Sequence, residues 1–273
     1  MAGALKMEKV EEKVETKVVE KPVAEKVPDD GMMGFYPIKD LPSKYKLYPE
    51  GTLIYGRPLR VLEVRQLSQM GEDNSANVIN NVLRSATKGL KVENMFLADK
   101  IYIIFWLRAN TYKDPGYRVD FKCMKCEQPS NYSFGLEALK VTYIKDTYVD
   151  GTPFELPVSK DKVILGYQTV ANVIEMENLK SKSIGNPLVS YDDDVLSTAS
   201  CIVSVNEKIM SLKQKYDYLI DLDSGDYARI ATEQLDNEMG ISTIIDVKCN
   251  KCGETSPAGL SFRPDFFIPK YKT

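Results

Sequence analysis

The chain has 273 residues, 43% of them hydrophobic and 27% charged, enough to bury one large core or two smaller ones. Its 36 basic and 39 acidic residues leave a formal net charge of −3, so there is no overall positive surplus to hold a polyanion, and nucleic acid is not the expected partner. Histidine is absent, which excludes Ser–His and Cys–His nucleophile pairs and mixed Cys/His metal sites and argues against an enzyme.

Met1–Gly34 contains MEKVEEKVETKVVEKPVAEKVPDD, a low-complexity run of Glu, Lys and Val with no aromatic residue before Phe35. Such a run cannot build a core alone and reads as a solvated arm. Val10, Val14 and Val18 stand four apart, on one face of a helix that Pro22 would end, and are the arm's expected contact with a partner subunit. Met1–Lys21 is charged throughout, where a secretory signal has an apolar centre. The longest apolar run, Ile101–Leu107, falls far short of the roughly 20 residues a bilayer requires. No membrane association and a cytosolic setting are expected.

From Phe35 to Pro58 turn residues and aromatics alternate, which predicts short strands and irregular backbone. Helical apolar spacing follows in Leu62–Met70, Ser75–Lys88 and Asn94–Ala109, with Ser75 and Asn94 as N-caps and Gly89 as a stop. Beyond the first cysteine pair, strands are predicted at Val141–Tyr143, Pro153–Pro157 and Lys162–Leu165, then a helix near Thr169–Lys182. Asp192–Asp194 reads as the acidic first turn of the helix leading into VLSTASCIVSV, with Cys201 on its apolar side, rather than as a metal-binding cluster. Further helices are predicted at Asn206–Leu222 and Gly225–Met239.

Four of the five cysteines form C-x-x-C pairs inside a repeated octet, apolar-Asp-apolar-Lys-Cys-x-Lys-Cys, at Val119–Cys126 and Ile245–Cys252. Apolar residues flank both, at Tyr117–Phe121 and Tyr132–Leu136, and at Ile244–Val247 and Ala258–Phe262, so each reads as strand, knuckle, strand. Two such knuckles supply the tetrahedral sulfur shell that zinc prefers, and Cys123, Cys126, Cys249 and Cys252 are predicted to hold one structural zinc ion per chain. Iron accepts the same four sulfurs. Two other readings are redox-active pairs, which normally open a helix and here do not, and packed free thiols, against which the repeat of the whole octet speaks. Gly253 follows the second pair where a knuckle turns with positive φ, and Glu127 holds that place in the first. Lysines 122, 125, 248 and 251 are expected to offset a net charge of about −2 at the centre. Since 249 − 126 = 123, 122 residues lie between the knuckles, and closing a loop of that order contributes about 4–5 kcal/mol on the chain-entropy model.

The fold class expected is α+β, a mixed helical and short-strand domain with a discontinuous four-cysteine zinc-ribbon-like element. The arm is 1–34. In one folded unit, 35–116 supplies strands and helices, and 117–273 supplies the ribbon strands with a helical segment, 169–240, inserted.

The order of LYPEGTLIYGRPLRVLEVRQLS, ADKIYIIFWLRANTY, VDFKCMKC, IDVKCNKCG and FRPDFFIP resembles the baseplate hub and hub-assembly proteins of T-even-type contractile-tailed bacteriophages, from about Tyr36 to Pro269. The resemblance implies a non-enzymatic role in building the tail baseplate, as a retained subunit or as an assembly factor. It implies other baseplate and tail subunits as partners, a homo-oligomeric arrangement about the tail axis, and a place in the virion after assembly in the host cytoplasm. The arm lies outside the shared pattern. Phe262, Phe266, Phe267, Ile268 and Tyr271 either close the local core or anchor a neighbouring subunit, and Phe266 and Phe267 are the candidate anchors. Two other functions fit the cysteines: a zinc-ribbon adaptor acting on nucleic acid or transcription machinery, and a thiol–disulfide enzyme.

Overall fold

The computed structural model describes residues 33–112, 117–135, 139–183, 190–260 and 262–268. Val10, Val14 and Val18 lie outside the described residues. The first part of the chain forms β1 (Tyr36–Pro37), β2 (Tyr55–Gly56), α1 (Val61–Ser68), α2 (Ser75–Ala86), β3 (Thr87–Lys88) and α3 (Leu97–Thr111). β1, β2 and β3 make one antiparallel sheet. In α2 the buried side chains Ile79, Val82, Leu83 and Ala86 fall at helical spacing on one face, whereas α3 buries residues on several faces because it runs through the core. Gly89 holds φ +95, and a Cβ there would meet the Leu53 carbonyl oxygen at 2.1 Å, so glycine is required for the chain to turn beneath β2.

A hairpin follows, β4 (Tyr117–Lys122) with β5 (Pro129–Phe134), and then β6 (Val141–Thr142). Next come β7 (Pro153–Glu155), β8 (Lys162–Leu165), α4 (Val170–Ser183), α5 (Asp193–Cys201), β9 (Ile202–Val205), α6 (Leu212–Asp221) and α7 (Ser224–Asp236). The chain returns through β10 (Gly240–Ile241), which pairs with β6, into a second hairpin of β11 (Ile244–Lys248) and β12 (Thr255–Gly259), and reaches the short helix α8 (Pro264–Phe267). This mixture of helices and short strands is the α+β architecture that the sequence predicts.

Two main cores divide the packing. The larger joins Ile38, Ile54, Leu67, Leu83, Met95, Ile103 and Phe105 to Phe134 and to Phe266 and Phe267, so its contributors come from both ends of the described chain. The smaller is local: Leu156, Val163, Leu196, Ala199, Ile202, Leu212, Leu219 and Ile230 pack together around the sheet β7-β8-β9. Its core therefore begins with β7 and β8, ahead of residue 169. A minor cluster of Leu47, Ile144 and Met239, with Tyr148 and Tyr167 against it, fills the seam.

Several local expectations are corrected. α3 begins at Leu97, with Phe96 at its cap, because Leu97 N–H donates to the Gln168 carbonyl 2.8 Å away. A donor satisfied from another element needs no local capping side chain, and Asn94 instead ends a short 3-10 turn. Asn74, not Ser75, is the cap residue of α2. The apolar run after Cys201 leaves the helix as β9, and Asn206 and Glu207 turn the chain with φ 49 and 62. α6 starts only at Leu212, where Ser211 and Gln214 form a reciprocal cap: the Gln214 N–H donates to Ser211 Oγ at 3.4 Å and the Ser211 N–H to Gln214 Oε1 at 3.0 Å. Asp192 is the cap of α5, accepting from the N–H groups of Asp194 and Val195 at 3.0 Å each. The acidic run thus serves the helix.

Candidate metal centre

The two hairpins are copies related by a constant offset, since 249 − 123 = 126 and 252 − 126 = 126. Lys122 pairs with Pro129 and Lys248 with Thr255, and Val119 with Tyr132 and Ile245 with Ala258. The knuckles repeat this bond for bond. Cys123 N–H donates to the Gln128 carbonyl at 3.1 Å and Cys249 N–H to that of Glu254 at 2.8 Å; Glu127 N–H returns to Cys123 O at 2.9 Å and Gly253 N–H to Cys249 O at 3.0 Å. Glu127 and Gly253 take the same left-handed turn, at φ 57 and 75. That turn is strained for a glutamate and easy for a glycine. Three residues further on, buried Ser130 and Ser256 share the offset as well.

These turns aim all four sulfurs at one point. Every pair among Cys123, Cys126, Cys249 and Cys252 lies within 4.8 Å. Across the hairpins, Cys123 Sγ is 3.6 Å from Cys252 Sγ and Cys126 Sγ is 3.8 Å from Cys249 Sγ. Four thiolates at about 2.3 Å from a tetrahedral ion stand about 3.8 Å apart, so the cage fits a single metal ion. Zinc and iron both accept such a donor set.

The electrostatics agree with that fit. The backbone N–H groups of Cys252 and Lys251 point at Cys249 and bring its thiol down to about 6. Those of Cys126 and Lys125 lower Cys123 in the same way. Cys252 is pushed up to about 12: the Glu254 N–H favours its thiolate, but desolvation and the neighbouring sulfurs of Cys126, Cys123 and Cys249 outweigh it. Without a cation the cage resists holding four negative charges at once. The lysines do less than expected toward this balance. Lys122 pairs with Glu127 at 3.1 Å and Lys125 with Glu254 at 2.9 Å, so two of the four are matched by carboxylates.

The sequence reading missed how the hairpins grip each other beside the cage. Lys125–Glu254 joins one knuckle to the other. Asn250 N–H donates to Ser130 Oγ at 3.0 Å, and its side-chain amide donates to the Asn131 carbonyl at 2.8 Å. The shared 126-residue offset of Ser130 and Ser256 was the only trace of this in the sequence.

The other candidates lie apart. Cys201 is in the smaller core's side of the fold, lining a cavity of about 460 Å³ with Tyr148, Tyr167 and Gln234, and burial pushes its thiol up. Phe266 and Phe267, which the sequence left as either core residues or anchors for a neighbour, are 9% and 3% exposed in the larger core, so burial takes them away from the anchor role. Phe266 stacks edge-on against Phe105 with centroids 5.2 Å apart, and Arg108 Nε donates to the Phe266 carbonyl. The end of the second hairpin is thereby locked onto α3.

Fold and centre define a class: an α+β protein whose distant segments meet at a closed four-cysteine cage. The chain belongs to the family of T4 bacteriophage base plate proteins, whose model matches residues 35–268. It is thus a phage baseplate protein of the virion tail, consistent with a structural role among other tail proteins. No curated protein and no solved structure matches it. No helix among the described residues is long and apolar enough to cross a membrane.

Proposed function

We propose that the chain is a non-enzymatic structural or assembly subunit of the hub region of a contractile phage tail, and that Cys123, Cys126, Cys249 and Cys252 hold one zinc ion that clamps its two hairpins. The observation that carries the reading is the family match, which spans both hairpins and α8. The cage itself supports a structural metal: four protein thiolates fill a tetrahedral shell and leave no position for water or substrate. When bound, the ion supplies charge neutralisation and a cross-link. The chain's own part is to preform the two knuckles, to direct backbone N–H groups at Cys123 and Cys249, and to hold the hairpins together through Asn250, Ser130, Lys125 and Glu254.

The chain's contacts are with other baseplate subunits, in a homo-oligomeric arrangement about the tail axis, and Val10, Val14 and Val18 of the arm are its contact with a neighbour. That the arm lies outside the matched residues 35–268 supports this reading of it as an addition to the shared fold. The test deletes residues 1–34 and measures two things separately. Folding and metal content should survive, while incorporation into tails assembled from the other baseplate proteins should fall. A chain that unfolds on deletion would contradict the arm's role, and a chain never recovered with baseplate proteins would contradict the hub assignment.

A further inference from the structure

The four thiolates of the cage are unequal in access and in hydrogen bonding. Cys123 and Cys249 are 1% and 2% exposed, Cys126 is half-buried and Cys252 is exposed. Backbone also reaches the inner pair: the Lys251 N–H donates to Cys249 Sγ at 3.4 Å. Such bonds draw electron density from sulfur, and burial denies it to reagents, so the inner pair is the inert half of the centre. Cys252, a thiolate only while a metal ion is bound, accepts the Glu254 N–H but is exposed, so it lacks the burial that shields the inner pair. Across the hairpins its sulfur stands 3.6 Å from that of Cys123, and Cys126 and Cys249 face each other at 3.8 Å.

We propose that Cys252 is the reactive thiolate of this centre, and that a peroxide oxidises it, expels the metal and leaves the hairpins joined by a Cys123–Cys252 disulfide. This rests on the reading that the cage holds a metal ion. The Cys252 thiolate attacks one peroxide oxygen, the O–O bond breaks, hydroxide leaves and a sulfenic acid forms. The Cys123 thiolate then attacks that sulfur, the S–S bond forms and a second hydroxide leaves. Two thiolates lose two electrons and one peroxide gains two. The metal, left with only Cys126 and Cys249, departs, and a second peroxide closes that pair in turn.

Both disulfides cross between hairpins, since their partners are 129 and 123 residues apart. The clamp therefore outlasts its metal. A tail protein assembled in a reducing cytosol and carried in a virion through oxidising surroundings would keep the same connection in either state. Closure within each knuckle, Cys123 to Cys126 and Cys249 to Cys252, would instead release the hairpins from each other.

The experiment uses the full chain, with metal counted before anything is added. Hydrogen peroxide is titrated in substoichiometric steps, released metal is read with a chromogenic chelator, and disulfides are mapped by peptide mass spectrometry without reduction. Each peroxide consumed should release between half a metal ion and one, because a second peroxide closes Cys126–Cys249, with Cys123–Cys252 the first cross-linked peptide. In a parallel arm, iodoacetamide should label Cys252 before the other three. Within-knuckle disulfides, peroxide consumed with no metal released, or first labelling at Cys123, Cys126 or Cys249 would each overturn the proposal. A preparation carrying no metal at the outset would contradict the metal reading itself, and the initial count tells that failure from the others.

Discussion

The body of the molecule and the unit between Pro153 and Asp236 solve the same packing problem differently. The unit is continuous in sequence, and the buried residues of its core, Leu156 to Ile230, all come from within it. The body is discontinuous: Ile38 to Leu107 must meet Phe266 and Phe267 from the far end of the chain, with the whole unit looped out between the hairpins. Closing so long a loop costs entropy that local contacts do not return. The four-cysteine cage sits where the two returning segments cross, and α8 carries the larger core's last aromatic side chains directly after the second hairpin. A continuous segment closes on its own apolar side chains, whereas a discontinuous one gains most from a cross-link.

That contrast breaks most sharply at the metal. Chelation, or Cys249→Ser, should destabilise the body by about 4–5 kcal/mol, the entropy of an opened loop of this length. Hydrogen exchange should rise in Tyr117–Phe134, Ile244–Gly259 and α8 and remain slow in the unit's core. Equal deprotection of both regions would erase the distinction.

Glu63 tests a second tie in the body, one between segments near each other in sequence. It accepts from Arg57 at 2.9 and 2.5 Å, from Arg60 N–H at 2.7 Å and from Ser85 Oγ at 2.7 Å. Burial opposes its charge, but these donors outweigh burial and bring it from the ordinary 4.5 down to about 2. A carboxylate depressed in the folded state stabilises above its unfolded value and loses that contribution as pH falls through its folded value. Body stability should therefore decline between about pH 4.5 and 2. Glu63→Gln strands the buried Arg57 charge, should cost about 3–5 kcal/mol, and should flatten that decline in acid titrations followed by circular dichroism.

Within the unit, Leu196→Ala opens a cavity at a fully buried site and should cost about 2–5 kcal/mol. Metal content should be unchanged, as read by elemental analysis, because no ligand lies in that core. The smallest effect is expected of Cys201→Ala, which removes one sulfur beside a cavity. It should cost about 1 kcal/mol or less and leave metal stoichiometry intact. Loss of metal in either variant would couple the regions.

What was legible in the sequence was local. The octet repeat, the left-handed Gly253 and the strand-knuckle-strand reading each depend on a few adjacent residues, and the hairpins appear where those residues place them. β8 falls at Lys162–Leu165, the bounds that the sequence predicts. β9 was missed because Ile202–Val205 is a short apolar run that period alone cannot divide between helix and strand. The start of α3 was missed because its donor finds Gln168, some 70 residues away in sequence. Burial of Phe266 and Phe267 depends on α3 lying beneath them, and the Lys125–Glu254 pair on the hairpins already being joined. Each of these is a tertiary fact with no local signature.

The central claim is that one metal ion joins the two hairpins. Mass spectrometry of the full chain under native and denaturing conditions tests it most directly. The native mass should exceed the denatured one by a single zinc ion, less the thiol protons displaced, and that excess should vanish in Cys249→Ser while remaining in Cys201→Ala. A native mass with no metal, or with two ions per chain, would contradict it.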